Sequence, residues 1–144
     1  MFENLKKTYS YGGVVLNKEN KVLVVSQYGT SWSLPKGHQE ENELPLETAK
    51  REIFEESGIS DLEYLAHLGS YERYKIDEKA IEDYSELKNI TIFLFRTKQE
   101  KLKPIDKENP QAIWLSIEEV GNKLTHYKDK EFFEKIKEKI LLYI

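Results

Sequence analysis

The run Lys21–Ser26, KVLVVS, is almost continuously apolar. A strand of this kind, lacking the usual apolar–polar alternation, is covered on both faces of its sheet. The surrounding segments supply partners and covers. Leu5–Leu16 reads as a strand with Gly12-Gly13 inside it, where glycine marks a bulge or a close approach by a ligand. Asn17–Asn20 would turn that strand back onto the apolar run as a hairpin. Gln27–Asn42 is a polar loop. A helix is expected from about Pro45 to Ser57, with Pro45 in its first turn, Gly58 just past its end, and Leu46, Ala49 and Ile53 forming its buried stripe.

Leu62–Tyr74 and Asn89–Thr97 read as strands, and Ala112–Leu115 as a short one. The polar stretch between the first two, Lys75–Lys88, is long for a turn and is expected to be a functional or mobile loop. Lys130–Ile144 is an amphipathic helix in which Phe132, Phe133, Ile136, Ile140 and Leu141 can share one face. This order implies an α/β chain with a mixed β-sheet sandwiched between α-helices, an α/β/α sandwich. Its 144 residues suit a single domain spanning 1–144.

The chemistry is concentrated on the first helix. Glu52 and Glu56 are four residues apart and project from one face, with Glu55 beside them. Carboxylates so placed repel one another, and a divalent cation relieves that repulsion. Hard oxygen ligands that leave room for water and phosphate oxygens suit Mg²⁺. Arg51 stands four residues before Glu55 and could pin it, leaving Glu52 and Glu56 for metal. A solvated acidic helix face is the plain alternative for these glutamates taken alone.

Composition narrows the setting. There are no cysteines, which removes disulfides, thiolate chemistry and Cys-based zinc sites. The net charge of -4 argues against a polyanion-binding surface, although a local basic patch could still face phosphates. No apolar run approaches the roughly 18–20 residues of a membrane span, and the opening residues lack a signal-peptide core. The expectation is a soluble cytoplasmic protein, monomer or homodimer.

Gly37, Glu43, Arg51, Glu52, Ile53, Glu55, Glu56, Gly58 and Ile59 match G-x5-E-x7-R-E-U-x-E-E-x-G-U, with U aliphatic, at every fixed position. The chain therefore resembles the Nudix hydrolases, which hold Mg²⁺ or Mn²⁺ on this motif and cleave phosphoanhydride bonds. By position, the resemblance implies Glu52, Glu55 and Glu56 as metal ligands. Arg51 would orient the carboxylates, Glu43 would brace the loop, and Gly37 would let the backbone come close to the metal or phosphates. Glu108, six residues before Trp114, fits the place of a further base or ligand. Many members carry Pro-Gly before the first motif glutamate, whereas this chain has Glu41-Asn42, and Asn tolerates the left-handed turn nearly as well as Gly.

Trp32-Ser33-Leu34-Pro35-Lys36-Gly37-His38 is similar to the segment preceding the motif in asymmetric diadenosine tetraphosphate hydrolases, which form ATP and AMP. Lys36 would hold a non-scissile phosphate as a point charge, and His38 is the histidine best placed for the site. Tyr71, Tyr74 and Tyr127 are candidates to stack on the base. His67 is expected to be structural, and Phe132 and Phe133 to be core. Two other readings stand beside this one. The chain could be a Nudix enzyme of different specificity, removing pyrophosphate from RNA 5′ ends or hydrolysing nucleoside triphosphates. It could also be a silent nucleotide-binding domain of the same fold. Nucleic acid other than an RNA 5′ end is not expected as a partner.

Overall fold

The computed structural model describes residues 5–107 and 111–144. Seven strands and three helices follow one another as β1 (Lys6–Leu16), β2 (Val22–Gln27), β3 (Ser31–Ser33), β4 (Lys36–His38), α1 (Pro45–Ser57), β5 (Glu63–Ile76), β6 (Glu82–Arg96), β7 (Ala112–Leu115), α2 (Ile117–Lys123) and α3 (Tyr127–Leu141). The main path of the mixed sheet runs β3-β2-β1-β6-β5, with β4 paired to β1 and β7 paired to β2. β1 and β6 lie parallel without a register shift from Lys6↔Glu86 to Leu16↔Arg96, while the other pairings are antiparallel.

Alternate residues of the central strands enter two separate cores, as the period of two dictates. Val14, Leu16, Val22, Val24, Ile90, Ile92 and Leu94 pack with Val120 of α2 and with Phe132, Phe133, Ile136 and Ile140 of α3. Val15, Leu23, Val25, Phe93 and Phe95 face the other way, onto Ala49 and Ile53 of α1. Both faces of β2 are thus covered, and the expected α/β/α sandwich is found. Burying so many fully enclosed Val, Leu, Ile and Phe side chains supplies the main driving force for the fold, at roughly 1.5–3 kcal/mol each.

Several local expectations change. Lys75–Lys88 is no loop: β5 runs on to Ile76 and β6 begins at Glu82, leaving a short turn between them. The Asp77 carboxylate closes that turn by accepting the backbone N–H groups of Lys79 and Ile81. Polar residues on both strands disguised the extension, because this arm leaves the core and has no apolar face to reveal its period. Leu141 is 50% exposed and does not join its four expected neighbours in the core. Gly12 and Gly13 mark close approach by the chain itself rather than by a ligand. A Cβ on Gly12 would meet the Pro35 carbonyl, and one on Gly13 would strike the Phe95 ring. Helix α2 was not anticipated, although Ser116 and Glu119 form a capping box at its start.

Candidate active site

Helix α1 is set down on the sheet by Ala49 and Ile53, and its punctuation holds as read. Pro45 opens it and Gly58 closes it at φ 81, the left-handed conformation glycine adopts freely. This fixes the next helical face, which carries Glu52 and Glu56, against β4. The Glu56 carboxylate is 3% exposed and accepts the backbone N–H of Lys36 at 3.0 Å. Glu52 lies so close to Gly37 that a Cβ there would stand 2.1 Å from its Cδ. β4 and α1 therefore meet through backbone and carboxylates, with no room for a side chain between them.

Arg51 is the hub beside this contact. Its Nε donates to Glu43 Oε2 at 2.7 Å, Nη1 to Glu52 at 2.9 Å and to both Glu55 oxygens at 3.2 Å, and Nη2 to the His38 carbonyl at 2.9 Å. The reading from spacing gave Arg51 to Glu55 alone; the guanidinium holds Glu52 as well, because its five donors fan across the turn. Glu56 is left outside that grip. Glu43 also accepts from Thr48 Oγ1 and Glu40 N, so it ties the loop before α1 to the helix. Asn42 sits at φ 64, the left-handed turn expected of it in place of glycine. The Arg51 guanidinium holds the Glu43 carboxyl at about 2. Its contribution to stability is present above the ordinary carboxylate range and is lost as pH falls toward 2. We expect Glu43→Gln to lower kcat by about tenfold with little change in KM, since it loosens the support of the carboxylates rather than a substrate contact. Steady-state kinetics check this.

Glu52 and Glu56 open onto a cavity of about 270 Å³ whose lining also includes Lys36, His38, Lys75, Lys88 and Asp106. Burial, with repulsion from Glu52 and Asp106, pushes the Glu56 carboxyl up to about 8, against the pull of Lys36. Burial and the neighbouring Glu55 raise Glu52 in the same direction. Burial and the charge of Lys36 and Arg73 lower Lys88, in the same lining, to about 7. Burial, then Arg73, likewise lowers Lys36. The lining thus holds the buried Glu56 and Lys36 together with Glu52 and Lys88, carboxylates that a cation relieves and lysines that an anion relieves.

The donor set fits a divalent cation: buried carboxylates, all hard oxygens, with a cation-sized repulsion between them. Among the described residues, no three His, Asp or Glu side chains form a ready-made cage. Because a carboxylate must lose its proton to bind metal, Mg²⁺ affinity should climb as pH rises through about 8 and then level off. The slope should approach tenfold per unit below that point. Calorimetric titration at pH 6.5, 7.5 and 8.5 would show it, and a flat profile would contradict it. Without metal the raised carboxyl carries its own sign: the folded state binds the extra proton, so stability falls as pH rises from the ordinary Glu range toward 8.

The structure places the other expected residues as follows. Lys36, Gly37 and His38 line the cavity. His38 Nε2 lies 3.3 Å from Glu86, which also accepts from Thr8. Glu55 is turned toward Arg51 and is not in the cavity wall. Tyr71 departs from its expected role. Its ring stacks on Phe132 at 4.3 Å and its hydroxyl donates to Asp129 at 2.5 Å, so both ends are engaged on the α3 side of the sheet. Tyr74 is half-buried, edge-on to Tyr84, and Tyr127 is 59% exposed at the start of α3. His126, left open from sequence, caps α3, and His67 is exposed and meets Phe93 edge-on. Glu108 lies outside the described residues.

Lys75, Lys88 and Asp106 were not anticipated. The two lysines reach the cavity only through the register of the β5–β6 hairpin, which sequence spacing does not reveal. Asp106 follows from the loop after β6, where the backbone N–H groups of Ile105 and Asp106 both donate to the Glu55 carbonyl. Its nearness to Glu108 in sequence was the one available signal.

Comparison with known proteins bears on the family and the fold. The NUDIX domain family model matches residues 6–136. The chain belongs to the Nudix hydrolase family. The RNA pyrophosphohydrolase of Proteus mirabilis is 36% identical over 73 residues, 49% of this chain and 42% of that protein. That of Yersinia enterocolitica is 34% identical over the same extent. The match thus spans well under half the length of these curated relatives. Among solved structures, an Ap4A hydrolase of C. elegans superposes with a TM-score of 0.77 at 17% identity, covering 95% of this chain and 99% of that one. A MutT protein from Methanosarcina mazei superposes with a TM-score of 0.71 at 19% identity, covering 94% and 96%. At such identities these structures establish the fold alone. No described helix is long and apolar enough to cross a membrane.

Proposed function

We propose that the chain hydrolyses a phosphoanhydride bond in a nucleoside polyphosphate, with diadenosine tetraphosphate, split to ATP and AMP, as its preferred substrate. The observation that carries this reading is the mixed lining of one cavity, which brings Glu52, Glu56 and Asp106 together with Lys36, Lys75 and Lys88. A polyphosphate chain bound with a cation complements both kinds of group at once.

Glu52 and Glu56 would hold Mg²⁺ or Mn²⁺, with Glu55 joining them only on release from Arg51. The bound cation supplies charge neutralisation on the phosphates and a water of lowered pKa. Arg51 keeps Glu52 in place through its 2.9 Å hydrogen bond and holds the His38 carbonyl, so the carboxylates and β4 stay in fixed relation. Such preorganisation lowers the reorganisation needed as charge develops. Lys36, Lys75 and Lys88 take the remaining phosphate oxygens as point charges and orient the chain along the cavity. Three lysines around one cavity, protonated when a phosphate chain sits among them, favour a long chain over a diphosphate. Tyr74 and Tyr127 receive a base by stacking.

Removal of pyrophosphate from RNA 5′ ends is the second reading, favoured by the names of the curated relatives over the matched 73 residues. A panel with Mg²⁺ separates the two. Diadenosine tetraphosphate should yield equimolar ATP and AMP with a kcat/KM at least about tenfold above that for a 5′-triphosphorylated RNA. The reverse ratio would make RNA the substrate, and absence of ATP among the products would sink the first reading.

A further inference from the structure

His126 uses both ring nitrogens to join two distant parts of the chain. Nδ1 accepts the backbone N–H of Lys128 at 3.0 Å and caps α3, while Nε2 lies 3.0 Å from Glu82 Oε1 at the start of β6. A ring nitrogen that accepts carries no proton, so in the neutral ring the N–H is on Nε2, facing Glu82. The approach is off the line of a good hydrogen bond, so the two groups meet as a close polar contact inside the fold. The imidazole is 2% exposed and the Glu82 side chain 26%.

Three tyrosines surround this contact. Tyr127 stacks on the His126 ring at 5.0 Å. The Tyr84 hydroxyl donates to Glu82 Oε2 at 3.0 Å, and Tyr74 meets Tyr84 edge-on at 4.9 Å. Both Tyr74 and Tyr127 are near enough to Tyr84 to act on its hydroxyl electrostatically. Tyr84 and Tyr127 expose 66% and 59% of their surface, far more than rings used as core. One set of rings belongs to the β5–β6 hairpin, the other to α3, and the His126–Glu82 contact ties the two together. The same hairpin brings Lys75 into the phosphate cavity.

We propose that His126 and Glu82 are positioning residues for a nucleobase, and that Tyr84 joins Tyr74 and Tyr127 in binding it. Stacking is lost steeply when an aromatic face moves more than a fraction of an ångström from a contact of about 3.5–4.0 Å. A buried contact that fixes the hairpin against α3 fixes that distance. The consequence is selectivity: ligands with a base benefit from the latch and bare polyphosphates do not. This inference rests on the reading that the tyrosines receive the base.

Its test is binding of adenosine 5′-(β,γ-methylene)triphosphate and of inorganic tripolyphosphate, each with Mg²⁺, to the wild type, Glu82→Ala, His126→Asn, their double variant and Tyr127→Ala. Asn keeps a capping acceptor for α3 yet is too short to reach Glu82. Melting temperatures confirm that each variant is folded. Glu82→Ala and His126→Asn should each weaken the nucleotide about tenfold and tripolyphosphate less than about twofold, and the double variant should be no worse than either alone. Parallel loss of both ligands, additive losses, or an unchanged nucleotide affinity in Glu82→Ala would overturn the latch. If Tyr127→Ala weakens the nucleotide while Glu82→Ala does not, the latch alone fails. If Tyr127→Ala has no effect on the nucleotide, the base-stacking reading fails and takes the latch with it.

Discussion

Glu56→Gln should lower kcat by about a thousandfold or more, equivalent to roughly 4 kcal/mol of transition-state stabilisation. The substitution keeps the shape of the side chain and an oxygen to accept the Lys36 backbone N–H, so the contact between α1 and β4 survives. It removes the charge. In the wild type that charge is buried at 3% exposure and faces repulsion from Glu52 and Asp106, a cost that folding alone gives no reason to bear. Thermal stability without metal should therefore be unchanged or improved above pH 8, while activity collapses. Loss of activity together with gross unfolding would show a structural residue instead, and retained turnover would remove Glu56 from the chemistry.

Gly37→Ala should cost about a hundredfold in kcat, through displacement rather than charge. The backbone at Gly37 needs no positive φ, so alanine meets no conformational strain. The added Cβ would instead stand 2.1 Å from Glu52 Cδ and 2.3 Å from both its oxygens, far inside any real contact. The carboxylate is the end of a flexible side chain and can swing aside, so stability should change by no more than about 1 kcal/mol. Its place beside Glu56 is lost, however, and with it the pair that faces the phosphates. Gly12→Ala is the useful contrast, because its Cβ meets the Pro35 carbonyl and the Lys36 backbone, which cannot yield. That variant should unfold far more readily. Kinetics and melting curves on the pair separate a site glycine from a packing glycine.

These expectations reflect which parts of the molecule sequence can express. Helix α1 was legible to the residue, because Pro45 and Gly58 punctuate it and because a spacing of four places Glu52 and Glu56 on one face. β2 was legible from its unbroken apolar run, which implied a cover on both of its faces. The three-residue strands β3 and β4 are too short to show a period, and Lys36–His38 passed as loop for that reason. The far arm of the β5–β6 hairpin was hidden by its polar faces. Part of the cavity was hidden with it, since Lys75, Ile76 and Lys88 reach its lining through strand register. Tyr71 misled because an aromatic at a strand end reads the same whether it meets a base or, as here, Phe132 and Asp129.

The central claim is that Glu52 and Glu56 together hold the divalent cation that the reaction requires. Titration of Mn²⁺ into the protein at pH 8.5, followed by electron paramagnetic resonance of the free ion, tests it most directly. Wild-type protein should deplete the free signal, and Glu52→Gln and Glu56→Gln should each leave it nearly undiminished at the same concentrations. Equal depletion by all three proteins would contradict the account.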